Sequence, residues 1–129
     1  MASVLRTADV VAFVPTRNPQ RARAFYERVL GLRFVSEDPF ALVFDANGVT
    51  VRVADVSGVP DFTPAPFSIL GWNVPNVEAT VRDLQAKGVA LERFPGMRQS
   101  ETGIWTSPGG AKVAWFKDPD GNVLSVTQL

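Results

Sequence analysis

Arg52 is the side chain in this sequence best suited to hold a charged or polarised small molecule. It lies in the run Val49-Thr50-Val51-Arg52-Val53, where apolar and polar residues alternate. That period is the mark of a strand with one apolar face. The valines therefore pack under a helix, and Thr50 and Arg52 face the opposite side of the sheet. A guanidinium there presents a planar fork of donors that matches a carboxylate, a phosphate or a polarised carbonyl. The competing reading is a salt bridge to an Asp or Glu, or a place at the rim, since Arg is rarely buried without a partner. Trp72, Trp105 and Trp115 add large aromatic surfaces of the kind that line pockets for flat or apolar ligands. Core packing competes for each of them, least for Trp105, which stands beside Gly103 and polar residues at a cavity mouth. Asn73 and Ser125 can each hydrogen-bond a ligand, or be satisfied as ordinary strand residues. Phe13 and Phe116 complete the candidate ligand-binding set; Phe13, like Phe44, also suits the core, and Phe116 suits either face.

Equally informative is what the chain lacks. It contains no His and no Cys. The usual general base is therefore absent, and no Ser–His, Cys–His or paired-carboxylate arrangement is present for nucleophilic or glycosidic chemistry. Asp45, Asp118 and Asp120 fall in turns, where an Asp carboxylate ordinarily bonds the turn backbone. Asp38, Asp55, Asp61 and Glu101 lie in or beside loops and are expected to be solvated. Gly109-Gly110 follows Pro108 and leads into a strand, whereas a phosphate-binding loop leads into a helix. No cofactor is expected.

The elements that must position these residues recur in two rounds, about residues 9–56 and 67–129, within one domain spanning 1–129. Asp9 to Pro15 reads as a buried strand. Asn18-Pro19 opens a helix, with Asn as N-cap and Pro at the first helical position. Ala22, Phe25, Tyr26, Val29 and Leu30 form its inner face, and Gly31 ends it. Three strands follow, Leu32–Ser36, Phe40–Asp45 and Val49–Asp55, the last two joined by an Asn47-Gly48 hairpin. Ser57 to Pro66 holds Gly58, Pro60, Pro64 and Pro66 and is a linker. The pattern then restarts: strand Phe67–Val74, helix from Asn76 to Gly88 with Val77, Val81 and Leu84 inward, strand Val89–Phe94, Ile104-Trp105-Thr106, strand Ala111–Lys117, a tight turn at Asp118–Asn122, and strand Val123–Gln128. Val14-Pro15 matches Val74-Pro75, Asn18 matches Asn76, and Gly31 matches Gly88. Asp45 and Gly48 match Asp118 and Gly121, which sets Arg52 against Ser125. Caps, helix ends and turns recurring in one order point to a duplicated βαβββ module and an α+β fold.

The 13 basic and 13 acidic residues balance, so net charge gives no reason to expect nucleic acid or an anionic membrane as partner. No apolar run approaches the ~20 residues of a membrane span. Met1 to Asp9 does not read as a secretory signal, which makes the cytoplasm the expected location.

Ala24-Phe25-Tyr26 followed by Val29-Leu30-Gly31, together with Ala114-Trp115-Phe116-Lys117-Asp118-Pro119-Asp120-Gly121-Asn122, resembles the vicinal oxygen chelate superfamily. That group includes glyoxalases, bleomycin-resistance proteins and ring-cleaving dioxygenases. The resemblance covers nearly the whole chain and implies paired βαβββ modules forming a curved mixed sheet around a concave cavity, often in a homodimer. In metal-using relatives the cavity holds a divalent ion. By position its ligands would fall near Val11, at Thr50 or Arg52, at Ile69 or Gly71, and at Ser125. None of these is an imidazole or carboxylate, the donors such an ion needs, so no metal site is expected. The leading expectation is metal-free binding of a small organic molecule in the cavity. An enzyme of the glyoxalase or dioxygenase kind is the alternative, and an interaction module with a vestigial pocket is the second alternative.

Overall fold

A computed structural model describes residues 3–129, which divide into two compact units, residues 3–60 and 61–129. In the first unit, a short 3-10 turn at Val4–Arg6 precedes strand β1 (Val11–Thr16), helix α1 (Pro19–Arg23), and strands β2 (Arg33–Glu37), β3 (Ala41–Ala46) and β4 (Val49–Asp55). The sheet runs β1-β4-β3-β2, with β1 and β4 parallel and the other pairs antiparallel.

The Asn18 Oδ1 accepts the Arg21 N–H at 3.1 Å, and Pro19 takes the first helical place. The helix does not stay α-helical to Gly31. After Arg23 it widens to a π-helical turn over Ala24–Val29, closed by the Leu30 N–H donating to the Phe25 carbonyl. The extra residue per turn brings Tyr26 fully inside, where its ring meets Phe44 at 6.0 Å and Phe25 edge-on at 5.3 Å. Val14, Leu42, Phe44, Val51 and Val53 form the sheet side of this core. Each such side chain contributes roughly 1.5–3 kcal/mol through burial. Val49 departs from the expected pattern. It is 39 % exposed, because it leaves the hairpin at the end of the sheet beyond the reach of α1. In that hairpin Asn47 (φ 50°) and Gly48 (φ 92°) are both left-handed, the requirement of a tight turn matching strand twist.

The second unit repeats the plan with strand β5 (Ser68–Asn73), helix α2 (Val77–Ala86) and strands β6 (Trp105–Thr106), β7 (Lys112–Lys117) and β8 (Val123–Gln128), ordered β5-β8-β7-β6. Asn76 Oδ1 caps α2 by accepting the Ala79 N–H at 3.0 Å, and Val77, Val81 and Leu84 are buried. The predicted strand Val89–Phe94 does not form. Leu91 makes one isolated bridge to Phe116. Beyond it the backbone turns to a side chain: Gln99 Nε2 donates to the Glu92 carbonyl at 2.9 Å and Gln99 Oε1 accepts the Phe94 N–H at 2.8 Å. The two-residue β6 takes the fourth place in the sheet instead. At the β7–β8 turn, Asp118 Oδ1 accepts the N–H groups of Asp120 and Asn122, and its Oδ2 accepts from the Asn122 side chain at 2.8 Å. Asp118 and Asn122 are buried, so this Asp is a structural clamp of its turn.

Among the described residues no helix is long and apolar enough to cross a membrane.

Candidate ligand-binding faces

Each sheet carries its helix on one face and leaves the other without one. In the first unit, strand register places Phe13, Arg52 and Val43 in one cross-strand row, beside a second row of Val11, Thr50 and Asp45. Their neighbours Val51 and Val53 are buried under α1, so both rows belong to the open face. Phe13 is 62 % exposed there. Arg52 has a partner, as one of its two sequence readings anticipates: a guanidinium nitrogen lies 3.3 Å from Asp38 Oδ2. The other oxygen of Asp38 accepts the N–H groups of Phe40 and Ala41 at 2.8 and 2.9 Å. These backbone bonds, with Ala41 and Arg52 adding to Phe40, hold the Asp38 carboxyl below its ordinary pKa. Both members of the pair stay partly exposed, so it adds little stability and can exchange partners.

In the second unit, Gly71, Ser125 and Trp115 form one row of the open face and Asn73, Thr127, Val113 and Trp105 the next. The Trp105 and Trp115 rings lie 6.3 Å apart, and Phe94 meets Trp115 edge-on at 5.4 Å. Ser125 Oγ does not point outward alone. It bonds Ser68 Oγ at 2.8 Å, and a bulge between Ser68 and Leu70 is what brings Ser68 within reach. Gly71 leaves the room for this: a Cβ at position 71 would stand 2.7 Å from Ser125 Oγ.

Two members of the sequence-predicted set lie on neither open face, and the rest divide between the units, Phe13 and Arg52 in the first and Asn73, Trp105 and Ser125 in the second. Trp72 pairs with Val126, in register with Ala114, and Phe116 pairs with Leu124. Val126, Ala114, Leu124 and Phe116 are all buried on the α2 side, Phe116 at 1 % exposure. Strand alternation thus assigns both aromatics to the packed face, and neither can wall a site on the open one. Phe94 and Ser68, which do reach the open face, escaped the sequence reading. Pro95-Gly96 ends the apolar run at Phe94, as the predicted strand end has it; no local signal marks the missing ladder or the bulge.

A family model described as Glyoxalase/Bleomycin resistance protein/Dioxygenase superfamily matches residues 7–126. The chain belongs to this superfamily. No curated protein matches the sequence. Solved structures share the fold of the superfamily. A superfamily member from Sphaerobacter thermophilus is 19 % identical with a TM-score of 0.75, over 98 % of this chain and 100 % of that one. A lactoylglutathione lyase from Agrobacterium tumefaciens is also 19 % identical, TM-score 0.72, over 95 % and 93 % of the two chains. TnmS3, an antibiotic binding protein from a Streptomyces species, is 24 % identical, TM-score 0.69, over 95 % of each chain.

The divalent ion of metal-using superfamily members does not fit the donors present here. The side chains of Val11, Ile69 and Gly71 offer no lone pair, Arg52 is cationic at any usable pH, and Thr50 and Ser125 are neutral hydroxyls. The Ser125 hydroxyl is already bonded to Ser68. Among the described residues no three His, Cys, Asp or Glu side chains cluster so as to hold a metal. A hard or borderline divalent cation needs several imidazole, thiolate or carboxylate donors.

Proposed function

We propose that this superfamily member binds a small organic molecule without a metal, the ligand lying against the open sheet face of the second unit. The observation carrying this reading is the half-buried cluster of Phe94, Trp105 and Trp115 on a face with no helix over it. Aromatic rings there supply apolar contact at small entropic cost, and Asn73 beside them supplies hydrogen-bonding groups. On the first unit, Phe13 with Arg52 forms a second surface, whose guanidinium can trade Asp38 for an anionic group of a ligand. Assembly into a homodimer is part of the proposal and is read by light scattering of the purified chain.

Tryptophan emission gives a direct test, because the three indoles are divided between the two faces. A metabolite screen is expected to yield ligands that quench or shift emission. The response should survive Trp72→Phe and disappear in Trp105→Phe/Trp115→Phe. A response carried by Trp72, or no response from any compound by emission or ligand-observed NMR, overturns the reading. The Phe13–Arg52 surface is tested separately: anionic hits seen by ligand-observed NMR that bind Arg52→Ala with unchanged affinity remove Arg52 as an anchor.

A further inference from the structure

The second unit contains a cavity of about 390 Å³ lined by Pro64, Ala65, Pro66, Phe94, Lys117, Gly121 and Val123. Lys117 and Val123 are register partners in β7 and β8, and share their strand face with Trp115 and Ser125. The cavity therefore sits at the end of the open aromatic face, and Phe94 touches both, its ring edge-on to Trp115 at 5.4 Å. Its volume lies in the ~300–1,000 Å³ range of small-molecule sites. The walls are apolar and stiff, since Pro and Ala have no rotamer freedom to lose when a ligand orders them. At the turn, Gly121 has φ 86°, and a Cβ there would stand 3.5 Å from Pro64 Cγ. The turn is thus held close to the proline wall.

Among the residues lining the cavity, Lys117 alone is charged. Its Nζ lies 3.5 Å from Glu92 Oε1, with the two side chains 50 % and 28 % exposed. A pair this open contributes about 0–1 kcal/mol, so a ligand anion can take the place of Glu92 cheaply. A single ammonium is a point charge that suits an anionic head, and the apolar walls around it favour a carboxylate carried on an aromatic ring over a free phosphate, which would leave them uncovered.

We propose that this cavity binds a small aromatic carboxylate, with the ring between Phe94 and the Pro64–Pro66 wall and the carboxylate on Lys117 Nζ. The assignment rests on the small-molecule reading above and narrows it to one ligand class and one pocket. The test uses the full chain, with phenylacetate and its neutral amide as probes, followed by ligand-observed NMR at up to ~10 mM. Phenylacetate is expected to bind about 2–5-fold more tightly than phenylacetamide, the difference one partly exposed charge contact makes. Lys117→Met should bring the acid to the level of the amide, Lys117→Arg should retain most of the difference, and Ala65→Phe, which fills the cavity from a linker residue, should abolish binding of both. Circular dichroism checks that each variant is folded, with Ala65→Leu as a smaller plug. Equal affinity of acid and amide, no binding of the acid, indifference to Lys117→Met, or binding that persists in a folded plugged variant each overturns the assignment. The wider reading is judged separately: a screening ligand lost in Trp105→Phe/Trp115→Phe but kept in Ala65→Phe retains the open face and removes this cavity.

Discussion

Asp38 joins two jobs in one side chain: it caps the Asp38–Ala41 turn through Phe40 and Ala41, and it neutralises Arg52. Because these contacts favour the ionised form, its folded pKa lies below the unfolded value. The stabilisation is therefore present above the ordinary carboxylate value of 3.8 and is lost as pH falls through the lower folded value. Asp38→Asn should be less stable than the parent near neutrality, and the gap should close on acidification below that value, as read from urea midpoints against pH. A constant gap would mean that the Asp38 charge is irrelevant. Asp55 is held low by the Ser57 N–H and has its own acid loss, which Asp38→Asn leaves unchanged. Gly71 makes a second prediction. Gly71→Ala should cost about 1–3 kcal/mol through overpacking, and Ser125→Ala should relieve part of it, since the 2.7 Å clash is with Oγ while the 3.2 Å approach to the Ser125 carbonyl remains. A double-mutant cycle in urea measures that coupling; strict additivity would show that the close contact is absent. The facing of Arg52 was legible because valines flank it, and its partner was not, since Asp38 is fourteen residues away in sequence. Trp72 was legible in principle, counting by twos from the Val14/Val74 match. Phe116 was not, because Ala114-Trp115-Phe116 has no polar residue to fix the parity.

At the level of elements, caps and turns were readable because their chemistry is local. Asn18 and Asn76 both cap as their spacing to the following helix requires. Residues 89–94 depart from the sequence expectation for the opposite reason: an apolar run specifies a strand only if a neighbour supplies its ladder, and here Gln99 supplies the hydrogen bonds. Its side chain spans the Glu92 and Gly103 carbonyls and the Phe94 N–H, while Arg93 donates to the carbonyls of Gln99, Ser100 and Glu101. Gln99 also bridges to Trp105 through the backbone, so it is the strut that sets Phe94 and Trp105 in place. Gln99→Ala removes three part-buried bonds and should cost about 1–3 kcal/mol. Faster amide exchange should be confined to residues 92–105, with α2 and β8 protected as before. Exchange that rises uniformly over the second unit would make Gln99 a general stability residue instead of the support of this segment.

At the scale of the whole chain, the duplication was the most legible feature, since caps, helix ends and hairpins repeat and the structure repeats the strand order in each unit. What duplication does not carry is chemistry. The four positions at which the resemblance puts the ligands of metal-using relatives hold here Val11, Thr50 or Arg52, Ile69 or Gly71, and Ser125. Thermal unfolding turns this into a measurement. A ligand present at one hundred times its dissociation constant stabilises the native state by about 2.7 kcal/mol. For a chain of this length that raises Tm by several degrees, at roughly 2–8 °C per kcal/mol. Zn²⁺, Ni²⁺ or Mn²⁺ at ~100 µM should leave Tm within error of the EDTA-treated protein, and calorimetric titration should give no stoichiometric heat. A Tm rise of several degrees with one equivalent bound would require a donor set that neither open face provides. Glu placed at Ser125 is the informative control. It adds one carboxylate at the position of the fourth ligand, but Val11, Thr50 and Gly71 still supply no further strong donor. Ser125→Glu alone should therefore remain unresponsive to metal, because a single anionic oxygen cannot replace the hydration shell that a divalent ion must give up.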